Sequence, residues 1–184
     1  MLKSFGRTDF RNGPGAFATR IRLADGPLGL AWHHCAATAD FLGDFFALRR
    51  ATSQQAYTET RHGIGYLVNE LLENAVKFGE PGDIIIESSL DGDLFEVKIV
   101  NAISPGTARR FQDMLAELTA RDPGELLIAR IEANAADAGA SGSGLGLLTL
   151  MNDYGARLGW IFHDADAGAG GSIGLDTFAA LDLS

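Results

Sequence analysis
The chain has 184 residues, of which 46% are hydrophobic and 21% charged, and its formal net charge is −9. That length supports one domain with a sizeable core, in the composition range of a globular protein. The acidic balance argues against non-specific binding to nucleic acid, and no uninterrupted apolar run approaches the length of a membrane span.

Met1 to Arg7 lacks the apolar core of a signal peptide, and a single cysteine, Cys35, excludes an intrachain disulfide and a Cys-rich zinc site. A reducing, bacterial-type cytoplasm is the expected location, with Cys35 a small buried hydrophobe. Residues 1–16 read as an irregular lead-in and 17–184 as a single domain, since Gly6, Gly13, Pro14 and Gly15 carry no periodic pattern.

Phe17 to Leu23 alternates apolar and polar residues as a short strand does, and Asp25-Gly26-Pro27 turns the chain. Leu28 to Arg50 reads as mostly helix, with Trp32, Phe41, Leu42, Phe45, Phe46 and Leu48 as its bulky face. A second, longer helix runs from about Tyr57 to Phe78, where Gly79 and Pro81-Gly82 stop it.

This second helix carries the chemistry. At 100° per residue, Glu70, Asn74 and Lys77 fall within roughly 60° of one another. Ile64, Leu67, Leu71, Ala75 and Phe78 form the adjoining apolar stripe. A carboxylate, an amide oxygen and a cation at the rim of a buried face suit a nucleoside triphosphate with Mg²⁺. Glu70 can take a proton from a hydroxyl, Asn74 can offer a hard oxygen to the metal, and Lys77 can offer a point charge to phosphate. The plainer alternative is the solvated edge of an amphipathic helix, with Glu73 and Lys77 as an i,i+4 pair.

Asp83 to Val100 has the pattern of a β-hairpin. Ile84-Ile85-Ile86 precedes an Asp91-Gly92 turn, and Phe95, Val97 and Ile99 alternate on the return strand. Thr107 to Thr119 and Glu125 to Ala136 read as helices, with Asp122 as N-cap and Pro123 as first helical residue of the latter. The glycine-rich stretch 138–147 then leads into a helix of about Leu145 to Tyr154. In it, Ser141, Gly142, Ser143, Gly144, Leu145 and Gly146 let backbone amides approach a polyphosphate. The stretch is neither a Walker loop nor a dinucleotide fingerprint, since Lys-Ser/Thr does not follow and no βαβ unit surrounds it. Ala156 to His163 and Ser172 to Phe178 read as a final strand pair. Helices and strands are segregated, which predicts an α+β fold, a two-layer sandwich with helices over one face of a mixed, mostly antiparallel sheet.

Two stretches together resemble a known family. Glu70-Leu71-Leu72-Glu73-Asn74-Ala75-Val76-Lys77 is similar to the N-box of the GHKL superfamily, the ATP-binding fold of gyrase, Hsp90, histidine kinases and MutL. Ser141-Gly142-Ser143-Gly144-Leu145-Gly146-Leu147, about seventy residues on, resembles its second glycine box. Glu at the first N-box position resembles the anti-sigma-factor serine kinases. The wider set, with Trp32-His33-His34-Cys35, Thr38-Ala39-Asp40-Phe41-Leu42, Asp122-Pro123-Gly124-Glu125-Leu126 and Gly144-Leu145-Gly146-Leu147-Leu148-Thr149-Leu150-Met151-Asn152-Asp153-Tyr154-Gly155, resembles SiaB-type kinases and related cyanobacterial regulators of partner switching.

The resemblance implies a serine/threonine protein kinase that uses ATP and Mg²⁺ on a small SiaC-like or anti-sigma-antagonist-like partner. It also implies a possible homodimer. In that scheme Glu70 is the base, Asn74 the Mg²⁺ ligand and Lys77 a phosphate contact, and the loop from Ser141 to Gly146 covers the triphosphate. One departure stands out. The family's first glycine box, Asp-x-Gly-x-Gly, is here Asn101-Ala102-Ile103-Ser104-Pro105. Asn101 can still accept a hydrogen bond from an adenine amino group, more weakly than a carboxylate. A second reading therefore stays open: a nucleotide-weak module that regulates by sequestering a partner.

Overall fold
A computed structural model describes residues 2–9, 17–25, 32–136, 144–164 and 171–184. Six strands form one sheet: β1 (Lys3–Gly6), β2 (Phe17–Leu23), β3 (Ile84–Asp91), β4 (Leu94–Ile103), β5 (Arg157–Asp164) and β6 (Ile173–Asp182). Their spatial order is β1-β5-β6-β4-β3-β2, and every pairing is antiparallel, so no parallel pair of a mixed sheet is present among the described residues. Among the described residues there are five helices: α1 (Trp32–Arg50), α2 (Gln54–Phe78), α3 (Pro105–Ala120), α4 (Pro123–Ala136) and α5 (Leu145–Asn152). No helix among the described residues is long and apolar enough to cross a membrane.

Period-two alternation puts one face of each central strand into the core. On β4, Phe95, Val97, Ile99, Asn101 and Ile103 are buried on the helix side. Trp160 and Phe162 of β5 continue that layer, as do Leu175, Ala179 and Leu181 of β6. The apolar stripe of α2 (Ile64, Leu67, Leu71, Ala75) packs on it, and α1 packs along α2. The ring of Phe46 meets that of Phe95 edge-on at 5.0 Å, which ties α1 to the sheet as well.

Three helix starts have side-chain caps. Ser53 accepts from the Ala56 amide at 3.1 Å, Ser104 from Thr107 at 3.1 Å, and Asp122 from Gly124 and Glu125 at 3.0 and 3.1 Å. The first two caps set α2 and α3 earlier than apolar periodicity alone places them.

The lead-in expected over residues 1–16 is in part a strand. Lys3–Gly6 pairs with Gly159–Phe162 at the sheet edge. At four residues, with mostly exposed side chains, it shows too little alternation to declare itself in the sequence.

Candidate functional site
A cavity of about 470 Å³ lies between α2, the α3–α4 pair, the start of α5 and the sheet. That is within the range of small-molecule sites. Its wall is largely apolar: Leu71, Ile103, Phe111, Leu147, Trp160 and Leu175 line it. Asn74 enters from α2, Asn101 and Thr177 from the sheet, Gly144 from the head of α5, and Arg110 and Arg130 from α3 and α4.

The two stretches singled out in the sequence meet at its edge: Asn74 and Gly144 line the cavity, whereas Glu70 and Gly146 are not among its described lining residues. Gly146 lies directly against Glu70, so that a Cβ at position 146 would overlap the Glu70 carboxylate. Gly144 has φ +88°, a left-handed conformation that favours glycine, and it begins α5 without a side-chain cap. The uncapped amides of that first turn begin beside the cavity, which Gly144 lines. Leu145 is half-buried beside them. Ser141, Gly142 and Ser143 lie outside the described residues.

The seam between α2 and α5 is closed further along by rings. Tyr66 and Tyr154 stack at 4.8 Å and 15°, and His62 Nε2 lies 3.1 Å from the Tyr154 hydroxyl. Tyr154 lies just past the end of α5 and Tyr66 one helical turn before Glu70, so this stack ties the far end of α5 to α2.

Each polar group is set up differently. Asn74 Nδ2 donates to the Glu70 carbonyl at 2.8 Å, which orients the amide and leaves Oδ1 as the atom available to a cation. Asn101 is only 7% exposed. Its Nδ2 faces the Ala75 and Ala102 carbonyls at 3.4 Å each, while its Oδ1 is buried with no hydrogen-bond partner. An orphaned buried acceptor on a cavity wall is the position at which a ligand N–H gains most. Burial pushes the Glu70 carboxyl above the ordinary glutamate value, and the neighbouring Glu73 charge adds to the shift. A base of raised basicity suits proton abstraction. The Cys35 thiol is also pushed up, first by burial, consistent with an inert core residue.

Lys77 is exposed, with its Nζ 5.2 Å from the Phe78 ring centroid, and does not line the cavity. The cations that do so, Arg110 and Arg130, were not singled out by sequence reasoning. Arg130 shares a helix face with buried Leu126 and half-buried Leu127, at i+4 and i+3. A cation on an apolar face was the available signal.

Among the described residues no group of three His, Cys, Asp or Glu side chains can hold a metal. A protein-only metal cage is therefore not what the donors fit. A single side-chain oxygen, Asn74 Oδ1, is a donor that would suit a cation such as Mg²⁺, which keeps most of its waters.

No protein-family model matches the sequence, and no curated protein matches it. Among solved structures, the chain resembles one described as the crystal structure of the SiaB–SiaC complex from Pseudomonas aeruginosa. The TM-score is 0.57 at 13% identity, over 88% of this chain and 89% of that one. At that identity the likeness speaks to the fold, and the fold of this chain is SiaB-like.

Proposed function
We propose that this chain is a GHKL-type protein kinase of a bacterial partner-switching system, transferring phosphate from MgATP to a serine or threonine of a small partner. The observation that carries the reading is the convergence of Asn74, Asn101 and the head of α5 on one cavity, with Glu70 seated against Gly146. The solved neighbour is a complex of SiaB with SiaC, which supports a SiaC-like partner here.

In this reading the base enters the apolar part of the cavity, and Asn101 Oδ1 accepts a hydrogen bond from its exocyclic amino group. Asn74 Oδ1 holds the metal, and Arg110, Arg130 and the α5 amides bind the phosphates. Bound Mg²⁺ supplies neutralisation of the charge on the transferring phosphoryl group. Glu70 removes the proton of the acceptor hydroxyl. The hydroxyl oxygen bonds to the γ-phosphorus as the bond to the bridging oxygen breaks, leaving ADP and the phosphorylated partner.

Isothermal titration with ATP, with and without Mg²⁺, tests this. Saturable, Mg²⁺-dependent binding is expected, and Asn74→Ala should remove the metal dependence. Absence of saturable binding at millimolar ATP would defeat the kinase reading. One feature favours a second reading, a module that sequesters its partner. Asn101 replaces a carboxylate, and the chain runs from Ile103 through the Ser104 cap straight into α3 with no glycine turn. In that case Asn74→Ala leaves partner binding unchanged.

A further inference from the structure
Resting on the nucleotide reading, the structure points further to how the ligand's anionic end is recognised. The face of α3 that borders the cavity carries Thr107, Arg110, Phe111 and Met114, and one turn on it carries Glu117. Across from it, the Arg130 side chain is three-quarters covered and lines the cavity. Its Nη2 lies 3.3 Å from Glu117 Oε2. Its Nη1 lies so near Gly144 that a Cβ there would sit 2.8 Å away. The guanidinium therefore stands between a carboxylate of α3 and the start of α5 at Gly144.

The Arg130–Glu117 contact is of the exchangeable kind. Glu117 is about half exposed at 47%, and the contact is a single N···O approach rather than the two-pronged fork that makes Arg–carboxylate pairs strong. Glu117 also lies 3.5 Å from Arg121 on its own helix, so it keeps a cation when Arg130 leaves. A phosphate within the cavity offers Arg130 the two-pronged geometry that Glu117 does not.

We propose that Arg130 is a specificity-determining residue that reads the phosphate chain, and that Glu117 sets nucleotide affinity by competing with the phosphates for Arg130. A ligand without phosphate leaves the pair in place. ATP draws Arg130 away, and the weakening of the pair is subtracted from its affinity.

The test is isothermal titration of the full chain with ATP, ADP and adenosine, in Mg²⁺, on the wild type, Arg130→Gln, Glu117→Gln and the double variant. Arg130→Gln should weaken ATP about tenfold or more, as loss of a charge-assisted contact does, and change adenosine less than about twofold. Arg130→Lys, which keeps the charge without the fork, should fall between. Glu117→Gln should tighten ATP roughly threefold in the wild type and have no effect on it in the Arg130→Gln background, the signature of direct coupling.

Three outcomes would overturn the proposal. Equal tightening by Glu117→Gln in both backgrounds would show a general field effect. Equal weakening of adenosine and ATP by Arg130→Gln would show a brace between helices. A wild type that binds none of the three ligands would overturn the nucleotide reading itself, and the proposal with it, whereas the first two outcomes leave that reading standing. Thermal melts of each variant establish that it is folded.

Discussion

The floor and the roof of the cavity are held by different forces. Asn74 and Asn101 sit on α2 and β4, whose neighbours Leu71, Leu72, Ile99 and Ile103 are at most 3% exposed. Arg110 and Arg130 sit on α3 and α4, which a single partly exposed ion pair, Arg130–Glu117, links and where Ile128 and Ile131 are 61% and 52% exposed. Close packing fixes a side chain to within a few tenths of an ångström, whereas exposed ion pairs are worth little and exchange readily. The floor therefore suits geometry-critical chemistry, and the roof suits graded adjustment of affinity. Loss of Glu70 beside the floor should act nearly all-or-none on transfer, whereas substitutions at the ligand contacts should shift binding, most adjustably in the roof.

The sharpest way to break that contrast is Glu70→Gln. Loss of a general base should lower phosphate transfer roughly 100-fold or more while MgATP binding by calorimetry is kept. A variant that transfers at the wild-type rate would remove Glu70 from the mechanism. The same variant has a stability signature. The Glu70 carboxyl is raised above its ordinary value of 4.5, so the folded state binds its proton more tightly than the unfolded state does. Its contribution is favourable below the unfolded value and is lost as pH rises through the folded one. Glu70→Gln should thus melt at a higher temperature than the wild type near neutral pH, with the gap closing below about pH 4.5.

Asn101→Leu separates binding from folding on the floor. Asn101 Oδ1 has no partner, and its two Nδ2 contacts are long at 3.4 Å. An apolar side chain of similar size removes an unsatisfied acceptor at small cost, so thermal stability should hold or rise slightly. ATP affinity should fall about tenfold, the value of one buried hydrogen bond to a ligand. If stability falls while ATP affinity is unchanged, Asn101 is a structural residue and not a ligand contact.

The same contrast explains what could be read from the sequence. Glu70 and Asn74 were legible because helical periodicity alone sets which residues share a face, and α2 is long enough to show it. The β3–β4 hairpin was legible from Asp91-Gly92 between alternating runs, and the start of α4 from Asp122-Pro123. The roof was not legible in this way. Sharing a face with Leu126 and Leu127 hints that Arg130 turns inward, but nothing local says that it meets a cavity built by residues far away in sequence. β1 escaped because its partner, β5, is distant in the chain and its edge position leaves little hydrophobic pattern.

A smaller effect should come from Glu73→Gln. Glu73 is exposed, and its charge is the second cause, after burial, of the raised Glu70 carboxyl. Removing it should shift the rising limb of the transfer-versus-pH profile toward lower pH, leaving the plateau unchanged. A shift toward higher pH, or a lower plateau with no shift, would show that Glu73 acts by contact with the partner and not through Glu70.

The smallest effect is expected at Lys77, which periodicity groups with Glu70 and Asn74. Lys77 lies at the outer margin of that stripe, next to the last residue of α2, with its ammonium over the Phe78 ring and in solvent. A solvated charge outside the cavity is screened and acts on a bound phosphate only through water. Lys77→Ala should change ATP affinity less than about twofold at physiological salt, against about tenfold for Arg130→Gln. The reverse order, Lys77 dominant and Arg130 silent, would mean that the phosphates lie along the α2 rim. The division between a packed floor for chemistry and an adjustable roof for the anion would then have to be redrawn with α2 doing both.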